Sequence, residues 1–381
     1  MKTSLAVAIA AALSFFGPAA HAEVRVSGFG QIIAGTTLDS GDRFPSGGYT
    51  DTVDFEEESL FAIQIDADLN ERVTATAQIL AEGSENFKPE LAWAYANVQL
   101  GKGFSTKVGR QRIPFYRYSD FLDVGYAYPW IRPPVAMYNQ PWSNADGISL
   151  SHSAYVGKWF SQAQVLYGSF DGDAVNGTTR FQGKLDHLRG FSWDVEYDEW
   201  LSLRAAYVAA EVTVAGTSLD LVTNALRQFR QNALADRLDY NQDPGTFKSV
   251  GFKVDKADWL VVGEYSELDI EDSVFANIDR TDWYTTVGHR FGAVMPHFTY
   301  GRRSAGADLS VLRGIPMQSP LYFPVAASAM SQQLDETFKS VGVRWDFAAN
   351  VSLKADYTRV ESDVMGAAEG DLVSAGLVFT F

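Results

Sequence analysis

Residues 72–81 read Arg-Val-Thr-Ala-Thr-Ala-Gln-Ile-Leu-Ala, and this stretch decides the fold. Apolar side chains stand at alternate positions, and polar ones stand at most positions between them; the apolar set is Val73, Ala75, Ala77, Ile79 and Ala81. Successive side chains of a β-strand point to opposite faces, so a period of two predicts a strand with one apolar face. The stretch is also about as long as a tilted strand that crosses a bilayer.

The same period recurs along the chain. Sixteen segments show it, near 24–34, 59–69, 72–82, 91–100, 104–112, 145–152, 159–168, 189–197, 201–210, 246–255, 259–267, 281–291, 294–302, 337–347, 350–360 and 371–381. Some neighbours are joined by two residues, as at 70–71 and 348–349, whereas 35–58, 113–144, 211–245 and 303–336 each exceed twenty residues. We therefore predict an all-β protein: a transmembrane antiparallel β-barrel of about 16 strands, with short periplasmic turns and long extracellular loops.

Composition excludes several classes of protein. The 381 residues include no cysteine, so disulfides, thiolate nucleophiles and cysteine-based metal sites are absent. The formal net charge of -16 argues against a nucleic-acid partner. An exported soluble β-rich protein that binds or cleaves carbohydrate remains the alternative of another class. Such a protein has no reason to keep the alternation of short turns and long loops over sixteen strands.

The first 22 residues differ from the rest. Lys2 precedes an apolar run from Leu5 to Phe16, Gly17-Pro18 interrupts it, and Ala20-His21-Ala22 matches a cleavage site. This pattern predicts a secretory signal peptide over 1–22 and a barrel over 23–381. The run is too short for a membrane-spanning helix.

Catalytic and metal-binding patterns are not found. The histidines are scattered, no His-Glu-x-x-His occurs, and no Gly-x-Ser-x-Gly joins a strand to a helix. The acidic pairs lie on polar strand faces, where a solvated wall explains them. We expect neither an enzyme, nor a cofactor, nor a bound metal.

Three motifs resemble those of the trimeric, sixteen-stranded porins of Gram-negative bacteria. They are the opening strand Val24-Arg25-Val26-Ser27-Gly28-Phe29-Gly30, the strand Lys107-Val108-Gly109-Arg110-Gln111 before a long third loop, and the terminal Leu377-Val378-Phe379-Thr380-Phe381. The resemblance implies a homotrimeric channel in the outer membrane, in contact with lipid and lipopolysaccharide. It also implies that Phe379 and Phe381 belong to a signal read by the barrel-assembly machinery.

The resemblance further implies that the third loop, 113–144, folds inward and narrows the pore. Acidic loop groups then face basic wall groups across the lumen. The candidates are Arg110 and Arg112 on the wall, and Asp120 and Asp123 on the loop. Arg117 and Arg132 lie on the loop itself, where they either contact solute or tie the loop down. Seven tyrosines and tryptophans in this loop leave room for a substrate-selective channel.

One strand has an unusually small apolar face. Ala92, Ala94 and Ala96 alternate with Trp93 and Tyr95. Small side chains allow another protein surface to approach closely, which predicts a subunit interface. A thin lipid-facing strand is the alternative, because barrel exteriors tolerate alanine.

The negative charge is concentrated in the long connections. They contain 29 acidic and 12 basic residues, while strands and short turns contain 18 of each. The sequence therefore predicts a passive diffusion channel for small hydrophilic solutes and ions, with a mild cation preference. A substrate-selective porin with a binding site at the third loop is the alternative.

Overall fold

The computed structural model describes residues 23–38, 44–45, 48–134, 137–176, 179–217, 219–271, 278–364 and 367–381. In these residues sixteen antiparallel strands form one closed barrel. The strands are β1 (Glu23–Thr37), β2 (Leu60–Asn70), β3 (Val73–Glu82), β4 (Lys88–Gly101), β5 (Phe104–Arg112), β6 (Asn144–Val156), β7 (Trp159–Asn176), β8 (Thr179–Tyr197), β9 (Leu201–Ala215), β10 (Tyr240–Lys256), β11 (Trp259–Ile270), β12 (Ile278–His289), β13 (Val294–Gly306), β14 (Leu334–Ala348), β15 (Val351–Ser362) and β16 (Gly370–Thr380). The predicted fold class is confirmed. The predicted signal peptide, 1–22, lies outside the described residues.

The barrel closes between its first and last strands. β1 pairs with β16 in a continuous antiparallel register from Phe29–Thr380 to Thr37–Leu372. At one end of the barrel, two to four residues join consecutive strands, as at 71–72 and 257–258. At the other end the connections reach 31 residues, between β5 and β6. We call these the short-turn end and the long-loop end.

The polarity of the wall is inverted relative to a soluble protein. On β13, Phe298 is 47% exposed, whereas the neighbouring His297 and Thr299 are 4% and 1% exposed. Large apolar side chains are likewise exposed around the outside, among them Ile63, Ile65, Val165, Val250 and Val341. A bilayer covers such an apolar belt, and a closed barrel leaves no unpaired strand edge in the lipid.

The hairpin of β7 and β8 is longer than the sequence predicted. The two strands reach Asn176 and Thr179, where the period of two had indicated a connection over 169–188. The register shifts between Gly168 and Phe170, and again where β8 pairs with β9. A β-bulge exchanges the faces of all residues beyond it, so the apolar alternation is lost although the strand continues.

Short helices form a cap at the long-loop end. They are α1 (Leu219–Gln228), α2 (Asn232–Asp236) and α3 (Tyr322–Met330). A shared apolar cluster holds them together, with Leu226, Ala235, Leu238, Ile315, Val325 and Ala329 buried in it. In the described part of the chain, every helix is too short or too polar to cross a membrane.

Candidate functional site

Between β5 and β6, residues 113–134 and 137–143 fold into the barrel, and we call this segment the inner loop. Most of its aromatic side chains are buried, namely Phe115, Tyr116, Tyr118, Tyr128, Trp130 and Trp142. They pack with inward-facing residues of the wall in one cluster, as Phe115 does against Phe247 at 5.0 Å between ring centroids. A large part of the interior is therefore occupied by this segment.

Strands β14 and β15 hold one part of the inner loop by its backbone. The ammonium group of Lys354, which is 1% exposed, and the guanidinium of Arg344 donate hydrogen bonds to loop carbonyls, those of Gly125, Tyr126, Tyr128 and Trp130. The carboxylate of Asp356 accepts the N–H of Ile131 at 2.7 Å. Charged groups make stronger hydrogen bonds than neutral ones, so this is a firm anchor.

A second anchor lies on β10 and β11. The buried carboxylate of Glu264 accepts the N–H of Arg117 at 2.8 Å and the hydroxyl of Tyr138. Ser249 donates its hydroxyl to the carbonyl of Phe115 at 2.6 Å. The inner loop is thus fixed at separate places on the barrel wall.

The structure brings Arg112 and Asp123 together. They form an ion pair in which the side chains are 5% and 11% exposed. Asp120 lies three residues earlier on the inner loop and is exposed. Arg112 therefore faces the loop, with Asp123 as its partner.

The prediction that Arg110 faces the inner loop was wrong. Its register partners are Ala94 and Asp146, on the face that also carries the exposed Val108 and Ile148. It forms a bidentate ion pair with Asp146, with both N–O distances at 2.9 Å. Strict alternation applies within β5 and sends Arg110 outward, whereas Arg112 ends the strand and turns inward with the chain.

The two arginines of the inner loop both contact the wall or a neighbouring loop. The Arg117 side chain donates to the hydroxyl of Ser202 at 2.6 Å. Arg132 pairs with Glu58 and donates to the hydroxyl of Ser374 at 3.1 Å. These contacts tie the inner loop down, which is one of the two roles considered for these residues.

Ala92 lies on a different face from Ala94 and Ala96, contrary to expectation. β3 pairs Gln78 with Trp93 but Ile79 with Leu91, which leaves Ala92 as the extra residue of a bulge. Ala92 is buried in an inner cluster with Phe29, Ala62 and Leu80. Ala94 and Ala96 lie on the outer face, opposite Ala77 and Ala75. The small outer surface is therefore made by β3 and β4 together.

The two terminal phenylalanines lie at the seam between β1 and β16. Phe381 exchanges backbone hydrogen bonds of 2.9 Å with Gly28. Its ring stacks on Phe61 at 5.7 Å and on Phe379 at 6.4 Å. A Cβ atom at Gly28 would collide with the Phe381 ring, so this glycine makes room for it.

A polar cavity of about 370 Å³ lies beside the inner loop. Four carboxylates line it against the guanidinium of Arg132; they belong to Glu57, Glu58, Glu82 and Asp123. Burial raises the pKa of Glu58, while the charge of Arg132 and the hydroxyl of Tyr49 act in the opposite direction. The cavity can attract cations and order water between charges of opposite sign.

Comparison with known proteins gives structural matches only. No protein-family model and no curated protein matches the chain. Among solved structures, the outer-membrane channel DcaP of Acinetobacter baumannii superposes with a TM-score of 0.60 at 12% identity, covering 96% of this chain and 99% of that one. An anion-selective porin from Comamonas acidovorans gives 0.54 at 11% identity, covering 95% and 100%.

A trimer form of OmpT, an outer-membrane protein of Vibrio cholerae, gives 0.52 at 12% identity, covering 94% and 99%. The chain has the porin fold. At such low identity the match concerns the architecture alone. The chemical properties of this barrel therefore depend on its own side chains.

Several contacts of this porin fold were missed at the level of sequence. Lys354 stands on a polar strand face between Ser352 and Asp356, where a solvated wall explains it equally well. Glu58 closes an acidic run that looks like exposed loop. Glu264 is one of three acidic residues in β11, with Glu267 and Asp269, and nothing in its sequence context sets it apart. The alternation along the strands predicts that Lys354 and Glu264 point inward. It does not predict which groups of the inner loop they contact.

Proposed function

We propose that this protein is a channel of the outer membrane through which small hydrophilic solutes and ions diffuse. The observation that carries the proposal is the inner loop, which is anchored inside a closed, lipid-facing barrel. A segment fixed in this way narrows the lumen permanently. No catalytic step is required of any residue in this proposal.

The polar cavity supports a mild preference for cations. Its carboxylates outnumber its basic groups, and the long connections add further negative charge at the long-loop end. The ion pairs Arg112–Asp123 and Arg132–Glu58 place positive and negative charges beside the route that ions take through the lumen. These charges orient water in the pore, so polar solutes pass more readily than apolar ones.

Reconstitution into planar bilayers tests the proposal. We expect stepwise conductance, and reversal potentials in a KCl gradient that indicate a mild excess of potassium flux. Absence of conductance from correctly folded protein would overturn the channel function. Strong anion selectivity would overturn the role given to the carboxylates.

The cellular setting follows as part of the same proposal. Residues 1–22 direct export, Phe379 and Phe381 serve recognition by the barrel-assembly machinery, and the mature barrel lies in the outer membrane of a Gram-negative bacterium. The long-loop end then faces outward, against lipopolysaccharide. We further propose a homotrimer that associates through Ala94, Ala96 and the neighbouring Ala75 and Ala77. A structural neighbour recorded as a trimer supports this assembly.

A further inference from the structure

A second cavity, of about 350 Å³, lies on another side of the inner loop, and we call it the apolar chamber. Its wall is built by inward-facing side chains of β8, β9, β10 and β11, including Leu185, Val208, Val212, Phe247 and Leu268. Phe115 and Trp142 of the inner loop complete it. Leu219 of α1 and Ser328 of α3 line it from the helical cap.

The lining of the apolar chamber is unusual for a water-filled pore, whose interior is polar. The wall of β2 and β3 follows that rule, since its inward positions carry Gln64, Asp66, Thr76 and Gln78. Contact with the inner loop explains part of the apolar wall, such as Phe247 beneath Phe115. It does not explain the apolar groups that border open space in the chamber.

Polar groups also line the chamber. Arg280 lines it, but its charge is matched by Asp282 at 2.8 Å, and it also donates to Asn139. The side chain of Gln140 is also in the lining, and the helical cap adds those of Ser328, Ser331 and Gln332. A neutral hydrogen-bonding group on a solute can pair with these side chains without disturbing the Arg280–Asp282 pair.

We infer that the apolar chamber binds a small uncharged solute that has an aromatic or aliphatic body and one hydrogen-bonding group. Scaling from a cavity of roughly 150 Å³ that holds benzene, the solute is about twice the volume of benzene. Apolar walls with a few placed polar groups are the usual form of a small-molecule site. The inference deepens the proposed channel function, because it assigns a class of solute to a channel otherwise suited to hydrophilic ones.

Indole is a suitable probe, since it is neutral, largely apolar and soluble in water, and glucose is its hydrophilic counterpart. Equilibrium dialysis measures binding of labelled indole to the folded, detergent-solubilised protein against a detergent blank. Block of the ion current by indole is measured separately in planar bilayers. We expect saturable binding of indole, concentration-dependent block, and neither effect from glucose.

The double variant Val208→Thr, Val212→Thr keeps side-chain volume and adds hydroxyl groups to the chamber wall. We expect it to weaken indole binding about tenfold, because the apolar wall becomes partly polar. Val250→Thr makes the same change on the outer face of β10, where the side chain is exposed, and leaves binding unchanged. Heat-modifiable migration verifies that each variant is folded.

Two results would overturn the inference: no saturable binding of indole to the folded protein, or equal affinity in the double variant and the parent. The channel function is judged apart from this, by conductance without indole. Protein that conducts but binds no indole refutes only the chamber. Protein that binds indole in dialysis but conducts no ions refutes the channel.

Discussion

At the scale of the residue, a single lysine makes much of the contact that anchors the inner loop to the barrel wall. Lys354 carries its charge into the barrel interior and serves three backbone carbonyls of the inner loop. Buried ammonium groups are costly unless their hydrogen bonds are made, and here the loop supplies the acceptors. The position of the inner loop and the burial of this charge therefore depend on each other.

Replacing Lys354 by methionine keeps the aliphatic stem but removes the donors. Each carbonyl left without a partner costs about 1–3 kcal/mol, so the inner loop loosens from β15. We expect larger and noisier single-channel currents than in the parent protein. Lys339→Met is the matched control, because Lys339 pairs with Glu361 on the neighbouring strand and is exposed. Identical currents in K354M and the parent would contradict the anchoring role.

Glu58 predicts a pH dependence of selectivity. Burial raises the pKa of its carboxyl above the usual range, so it loses its charge earlier than an exposed glutamate as the pH falls. We expect cation preference to decline through this raised pKa, and E58Q to lack that part of the decline. Reversal potentials between pH 8 and pH 4 measure both.

The raised pKa of Glu58 also determines how this carboxyl changes the stability of the fold with pH. A carboxyl whose pKa is higher in the folded state is protonated more readily there, so acidification through that pKa favours folding at this site. Acid unfolding is therefore not expected to begin at Glu58. Glu361→Gln, which changes an exposed carboxylate outside the lumen, serves as the control for selectivity. Coincident pH profiles for E58Q and the parent would rule out the role of Glu58.

At the scale of the element, the sequence predicted the strands well and their faces less well. The period of two located all sixteen strands, because a lipid-facing side imposes apolar residues at alternate positions. It failed at bulges, where one extra residue changes the parity. Ala92 and the long hairpin of β7 and β8 were misassigned for that reason. Arg110 was misassigned because Arg112, with which it was grouped, leaves the alternation at the strand end.

The outer surface of β3 and β4 makes a prediction about assembly. Ala94 and Ala96 lie there beside Ala75 and Ala77, so a partner subunit can approach closely. Ala94→Trp is expected to abolish the trimer, read as the mass of the detergent-solubilised protein and as migration without heating. Ala205→Trp is the control, because Ala205 pairs with Trp193 and Val250 on the outer face of β9. A trimer in both variants would show that this surface is not the interface.

At the scale of the whole molecule, the barrel depends on closing one seam. Gly28→Val would drive a side chain into the ring of Phe381, where β1 meets the C-terminus. Overpacking of this kind costs roughly 1–3 kcal/mol, so we expect heat modification at a lower temperature. Gly172→Val is the control, since a Cβ there meets only ordinary contact with Phe170. Equal transition temperatures for G28V and G172V would contradict this role of the seam.

The sequence predicted the whole architecture more fully than the site. Strand number and loop asymmetry follow from local pattern and chain order. The anchoring contacts of the inner loop join residues far apart in the chain, 134 positions for Phe115 and Ser249 and 226 for Tyr128 and Lys354. No local sequence pattern predicts contacts between residues so far apart. The division of the interior into a polar cavity and an apolar chamber likewise depends on how the inner loop lies.

The inner loop also has a mechanical consequence. It leaves the wall between β5 and β6 and is hydrogen-bonded to β10, β11, β14 and β15 elsewhere around the closed barrel, as a strut links two walls of a tube. Thin cylinders flatten easily under uneven sideways force, and a strut resists that deformation. We therefore expect the bore of this barrel to keep its cross-section when bilayer tension or lipid thickness changes.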